Sequence, residues 1–148
     1  AIEKVESVIV IAMEKAAKEE IKNIKFYRGD VRSLEEIENA HFVNRIYLNF
    51  SDPWPRSRHS KRRLTAGSFL NLYKKLLTED GGIHMKTDNE QLFDFSLESF
   101  AENGFELSYI TRDLHKSDTT DNIMTEYENN FVSQGMPIYA LKAYRKGE

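Results

Sequence analysis

Apolar positions recur along this chain at helical spacing and then at alternating spacing, and the fold is read from the switching between the two periods. Val5, Val8, Ile9, Ala12, Met13, Ala16 and Ala17 share one helical face opposite Glu14, Lys15, Lys18, Glu19 and Glu20, which predicts an amphipathic helix over residues 4–21. Asn23 to Arg28, with Ile24, Phe26 and Tyr27 inside it, reads as a short strand closed by Gly29-Asp30. Ser33-Leu34-Glu35-Glu36 has N-cap spacing and predicts a short helix ending near Ala40. Val43 to Asn49 is the next strand, with Ile46-Tyr47-Leu48 expected to be buried; two prolines in Asp52-Pro53-Trp54-Pro55 then forbid a continuing ladder. Thr65 to Thr78 carries Phe69, Leu72, Tyr73, Leu76 and Leu77 at helical intervals and stops at Asp80-Gly81-Gly82. A strand over Gly82 to Thr87 ends at Asp88-Asn89, a helix built on Leu92, Phe93, Phe95, Ser96, Leu97 and Phe100 closes at Asn103-Gly104, and Phe105 to Thr111 alternates as a strand. Leu114 to Asn122, rich in Asp, Ser and Thr, reads as a mobile loop; Thr125 then stands in cap position for a helix reaching Phe131 and Val132. After the turn at Gly135-Met136-Pro137, Ile138 to Tyr144 forms a final strand.

Helices alternating with short apolar strands predict an α/β layered domain with a mostly parallel sheet. The last two strands have no full crossover helix between them, so they are expected to form an antiparallel C-terminal edge. With 148 residues, 40% of them hydrophobic, the chain has the length of one domain and enough apolar surface for one core. The absence of cysteine excludes disulfides, thiolate metal sites and a cysteine nucleophile, and fits a reducing compartment. No stretch approaches the roughly 18–20 apolar residues of a membrane span, which makes a cytoplasmic protein without a membrane partner the expectation. A net charge of -3 does not mark a nucleic-acid binder, so any such role must come from local clustering.

That clustering is present. Arg56, Arg58, His59, Lys61, Arg62 and Arg63 follow the Asp-Pro-Trp-Pro turn with no acid among them. Pro53-Trp54-Pro55 reads either as a rigid turn with its indole on the core or as an aromatic platform beside this patch. Four acids, Glu3, Asp30, Asp52 and Asp88, are each predicted just beyond a strand, and the C-terminal ends of parallel strands are where open α/β sheets bind ligands. Glu3 can favour a helix N-terminus or hold a ribose hydroxyl pair; Asp30 and Asp52 can be turn residues or ligand acceptors. His84, inside a strand, reads as a structural histidine. No His/Asp pairing has metal-ligand spacing, so no metal is expected. Ser51 and Ser60 lack a G-x-S-x-G setting.

Asn49-Phe50-Ser51-Asp52-Pro53-Trp54-Pro55 followed by Arg58-His59-Ser60-Lys61-Arg62-Arg63-Leu64 resembles the signature of the bacterial tRNA guanine-N7 methyltransferases, which use S-adenosylmethionine. Lys86-Thr87-Asp88-Asn89 and Thr125-Glu126-Tyr127-Glu128 resemble further motifs of that family in the same order. The resemblance implies a Rossmann-like class I methyltransferase. It implies that Glu3 holds the cofactor ribose, that Asp30 lies at the adenine, and that Asp52 is the catalytic-site acid, also close to the cofactor. Asp88 and Thr125, Glu126, Tyr127 and Glu128 would contact the guanine, and Arg58, His59, Lys61, Arg62 and Arg63 the tRNA. Arg56 stands where the family usually has Lys, which keeps the charge but exchanges a point ammonium for a planar guanidinium.

The family's Gly-rich strand-to-helix turn has no counterpart, since the seven glycines contain no G-x-G. Ala1-Ile2-Glu3 passes almost directly into a helix, so the expectation is a single methyltransferase domain over residues 1–148 that lacks its first strand and cofactor loop. Two rival functions follow. One is methylation of an exocyclic amine, from the likeness of Asp-Pro-Trp to amino-methyltransferase motifs; the other is an inactive RNA-binding fragment.

Overall fold

The computed structural model describes residues 1–37 and 41–146, which divide into two compact units, residues 1–38 and 39–148. The expected helix end at Ala40 lies outside the described residues. In the N-terminal unit, β1 (Ile2–Glu3) pairs in parallel with β2 (Tyr27–Arg28), matching Ile2 with Tyr27 and Glu3 with Arg28. Between them α1 spans Glu6–Lys18, with Glu6 in its first turn and Lys15 and Lys18 in its last, both signs placed to suit the helix dipole. The strand expected over residues 23–28 contracts to its last two. The helix expected from Ser33 is a 3-10 turn over Val31–Glu36, started by Asp30, whose side chain accepts from the Arg32 N–H.

The C-terminal unit is a four-stranded sheet in the order β3-β4-β6-β5, formed by β3 (Val43–Asn49), β4 (Leu77–Thr87), β5 (Phe105–Thr111) and β6 (Tyr139–Arg145). β3 and β4 run in parallel, and β6 is antiparallel to both β4 and β5. The antiparallel pair stands at the C-terminal side as expected, but β6 slots inside it and leaves β5 as the border strand. α2 (Gly67–Leu76) and α3 (Glu90–Glu102) are the crossovers. The sheet positions of Leu48, Ile83, Met85, Leu141 and Ala143 are buried, as are Phe69, Leu70, Leu72 and Tyr73 of α2 and Leu92, Phe93 and Phe100 of α3. α3 starts at Asn89, whose side chain caps the Leu92 N–H at 2.8 Å, and ends before Gly104, which takes the left-handed φ of 72° that glycine adopts without strain. Ser99 Oγ donates to the Thr65 carbonyl at 2.6 Å and Thr65 Oγ1 lies 2.8 Å from Ser96 Oγ, tying the entry of α2 to α3.

Three local expectations shift. β4 begins at Leu77, five residues before Gly82, because Leu77 pairs with Val43 and the ladder resumes at Arg45 with Gly82 after an irregularity. Tyr47, expected in a buried core, is 58% exposed, since it lies on the sheet face opposite Leu48. The stretch from Leu114 contains a 3-10 turn, Leu114–Lys116, before α4 (Glu126–Val132).

Candidate active site at the strand ends

β3 and β4 are parallel, so the residues that follow them emerge at one edge of the sheet. The last ladder bond joins Phe50 N to Lys86 O at 2.8 Å. Phe50 then takes a φ of 53° and Trp54 one of 43°, left-handed conformations that a bulky residue adopts only when its surroundings impose them. The constraint is visible. Arg63 is 4% exposed; its Nε donates to the Pro53 carbonyl at 2.9 Å, its Nη2 to the Trp54 carbonyl at 3.1 Å, and its guanidinium lies 4.4 Å from the Phe95 ring centre. Burial pulls its pKa below the usual arginine value. Arg63, expected on the RNA-facing patch, is therefore corrected to an internal brace of the turn that carries Asp52.

The other cations lie at or near the surface. Arg56 precedes a 3-10 turn over Ser57–Arg62; Arg56, Arg58, Lys61 and Arg62 are exposed and His59 is half-buried. Arg62 covers the Trp54 indole at 4.9 Å, and His59 meets the same ring edge-on at 5.8 Å. Trp54 is thus already engaged by two members of the basic turn.

Asp52 is exposed, Asp88 half-buried and Tyr127 half-exposed at 51%. The Tyr127 phenol is held above its usual pKa, first by burial and then by the charges of Asp88 and Asp52. Phe50 backs the phenol at 4.7 Å and Phe131 at 4.9 Å, ring centre to ring centre. Thr125 caps α4 in a full capping box: its Oγ1 accepts from Glu128 N at 3.1 Å while Glu128 Oε2 takes Thr125 N at 3.3 Å. Glu126 is exposed in the first turn. Glu128, expected to touch the guanine, has no exposed surface, so it presents nothing to a ligand; its oxygens meet Lys86, Asn122 and His115 instead. Of the residues expected at the substrate, Asp52 and Asp88 follow neighbouring parallel strands, and Tyr127 packs on Phe50 at the end of β3. Lys86, Asn122 and His115 were not anticipated. Lys86 stood inside the Lys86-Thr87-Asp88-Asn89 motif, but the sequence carries no sign of its partners.

In the N-terminal unit, Glu3 Oε1 accepts the backbone N–H groups of Lys4 and Val5, both at 2.7 Å. Asp30 Oδ1 accepts from Arg32 N at 3.0 Å and Oδ2 pairs with Lys4 at 3.2 Å; the Arg32 backbone hydrogen bond is the main reason its pKa is lowered. β1 and β2 being parallel, Glu3 at the end of β1 and Asp30 two residues beyond β2 lie at a common edge. A carboxylate has about four acceptor positions, so each can still accept from a hydroxyl or amino group, which fits a nucleoside.

A cavity of about 270 Å³ opens on the polar face of the larger sheet, between Tyr47, His84, Lys86, Tyr109 and Lys142, and Asp52, Asp88 and Tyr127 do not line it. Among the described residues no group of three or more His, Asp or Glu is placed to hold a metal ion, and no helix is long and apolar enough to cross a membrane.

A parallel sheet with one reversed strand inserted beside its border, and acids at the strand ends, is the arrangement of the Rossmann-like class I methyltransferases. The fold is similar to that of ribosomal protein L11 methylase from Lactobacillus delbrueckii subsp. bulgaricus, with a TM-score of 0.64 at 15% identity over 99% of this chain and 57% of that one. It is similar also to precorrin-6y C5,15-methyltransferase from Geobacter metallireducens GS-15, with a TM-score of 0.62 at 10% identity over 99% and 66%. The chain belongs to the Methyltransf_4 family, described as "Putative methyltransferase", whose model matches residues 1–141. Relatives called tRNA (guanine-N(7)-)-methyltransferase include one from Listeria monocytogenes serotype 4b, 49% identical over 142 residues, or 96% of this chain and 66% of that protein. Another, from Brevibacillus brevis, is 49% identical over 144 residues, or 97% and 67%. The chain thus spans about two thirds of the length of these relatives.

Proposed function

We propose that the protein carrying this chain methylates N7 of a guanine in tRNA. The observation that carries the reading is that Asp52 and Asp88 follow the neighbouring parallel strands β3 and β4 at one sheet edge, where Phe50 packs on Tyr127, close in sequence to an exposed basic turn. S-adenosylmethionine, the proposed cofactor, supplies when bound a methyl group on a sulfonium sulfur. Glu3 would hold its ribose and Asp30 its adenine, both in the N-terminal unit. Two carboxylates in one site can accept from guanine N1–H and the exocyclic amino group, which orients the ring. N7 has an in-plane lone pair and attacks without losing a proton, so no residue must act as a base. The ring becomes cationic as it gains the methyl group, and Asp52 and Asp88 favour that charge. Tyr127 and Glu126 border the same base, with the phenol kept protonated as a donor or stacking surface. Arg56, Arg58, His59, Lys61 and Arg62 would hold the phosphate backbone, with affinity falling as salt rises. On this reading both units belong to one methyltransferase domain of a cytoplasmic protein.

The test incubates the chain with unmodified tRNA and methyl-labelled S-adenosylmethionine and identifies the labelled nucleoside after digestion. 7-Methylguanosine supports the proposal. Label on an exocyclic nitrogen would establish the amine-methylating rival, and RNA binding without label the inactive fragment. Asp52→Asn should keep the fold and lower kcat roughly 10²–10³-fold, the usual loss for one electrostatic contact to a developing charge.

A further inference from the structure

A carboxylate with no exposed surface must have its acceptor positions filled by the protein, and Glu128 meets that demand from four directions. Oε2 accepts from Lys86 Nζ at 2.7 Å and Thr125 N at 3.3 Å; Oε1 accepts from Asn122 Nδ2 at 2.7 Å and lies 2.8 Å from His115 Nε2. Lys86 is used as completely. Its three N–H bonds go to Glu128 Oε2, to Asn122 Oδ1 at 3.0 Å and to the Ile123 carbonyl at 2.9 Å. An ammonium with every proton committed has none for a ligand and little freedom to swing. It joins the end of β4, the segment before α4 and the first turn of α4.

The placement of these residues gives the network its use. Lys86 precedes Asp88 by two positions and Glu128 directly follows Tyr127. α4 has only seven residues, too few to hold a helix by itself, so its position depends on tertiary contacts. Apolar packing by Phe50 and Phe131 supplies some of these, but it tolerates rotation about the helix axis, whereas a charge-assisted hydrogen bond is directional. We propose that Lys86, acting through Glu128, is a positioning residue that holds Tyr127 in register with Asp88 and Asp52 for the methyl-accepting base. This rests on the methyl-transfer reading above.

The test compares wild type with Lys86→Met and with Lys86→Met/Glu128→Leu. The single variant leaves a buried carboxylate without its counter-ion and can fail to fold for that reason alone; the double variant removes both charges and is tolerated in such sites. Amide hydrogen exchange over residues 122–132 and the kcat and KM for tRNA are measured on each. The expected result in the double variant is at least tenfold faster exchange in α4 with β4 and α3 unchanged. With it goes a fall in kcat of about 10- to 100-fold, the scale of an ångström of misplacement, and a KM for tRNA within about twofold of wild type because the basic turn is untouched. Unchanged exchange in α4, or an undiminished kcat, would overturn the proposal. Wild type separates the two readings: no turnover there counts against methyl transfer by this chain, and exchange still decides the clamp.

Discussion

Replacing Arg63 by methionine should unfold the protein earlier without changing how its RNA affinity responds to salt, and replacing its neighbour Arg62 by alanine should do the reverse. Arg63 is 4% exposed and donates to the Pro53 and Trp54 carbonyls. Methionine keeps most of the stem but loses two hydrogen bonds from a charged donor, each worth about 1.5–3 kcal/mol. It also loses the contact with Phe95, worth about 0.5–2 kcal/mol. The hydrogen-bond figures are already net of desolvation, so what stands against them is relaxation of the left-handed Trp54, about 1–3 kcal/mol. The balance is a destabilisation of about 2–4 kcal/mol, which for a chain near this length lowers Tm by roughly 4–16 °C. Arg62 is exposed and covers the indole, so its loss should barely move Tm. It should weaken tRNA binding and make the slope of log affinity against log salt shallower by about one. Thermal melts and filter binding at four salt concentrations measure both. A Tm for Arg63→Met within about 2 °C of wild type, together with a shallower salt slope, would refute the assignment of Arg63 as an internal brace.

Other consequences are as open to measurement. The His84 pKa is lowered to about 4, first by burial and then by Arg45 and Lys142, and its buried Nε2 has no hydrogen-bond partner. The unfolded chain therefore binds more protons between pH 4 and 6.5, so stability is full above that window and is lost as pH falls through it; His84→Phe should flatten that part of a urea-midpoint profile. A profile with the same slope as wild type would remove His84 as its source. Asp88→Asn takes away one of the charges that raise the Tyr127 pKa, so ultraviolet titration of the phenol, referenced to Tyr127→Phe, should show it ionising at lower pH; no shift would separate the two residues. Thr125→Ala breaks the capping box and should cost about 1 kcal/mol by denaturant melting, with a loss below about 0.3 kcal/mol arguing that the cap contributes little.

Local signals decided much of this protein. Strands β3 and β5 and helix α3 stand close to where alternation, helical spacing and the Asn103-Gly104 stop place them, because a single buried face imposes its period on the residues that make it. Thr125 was legible as a cap, a signal written within one turn, and the structure adds Glu128 as its capping-box partner. The acids Asp52 and Asp88 were legible as strand ends, since proline and an Asp-Asn pair punctuate the chain at those points. What the sequence could not contain is the partner of each element across space. β6 reads as a last strand but not as one inserted between β4 and β5, and β4 reaches back to Leu77 only because Val43 is there to pair with it. Arg62 and Arg63 are adjacent cations in one basic run, yet one covers an indole at the surface and the other is buried beneath a turn. Glu128 in the same way reads, by resemblance, as an acid at the guanine until Lys86, 42 positions away, is brought to 2.7 Å. Which charges face solvent and which brace the site depends on where the chain folds back, and that is settled by non-local packing, because burying a charge is tolerated only where the fold supplies its partners.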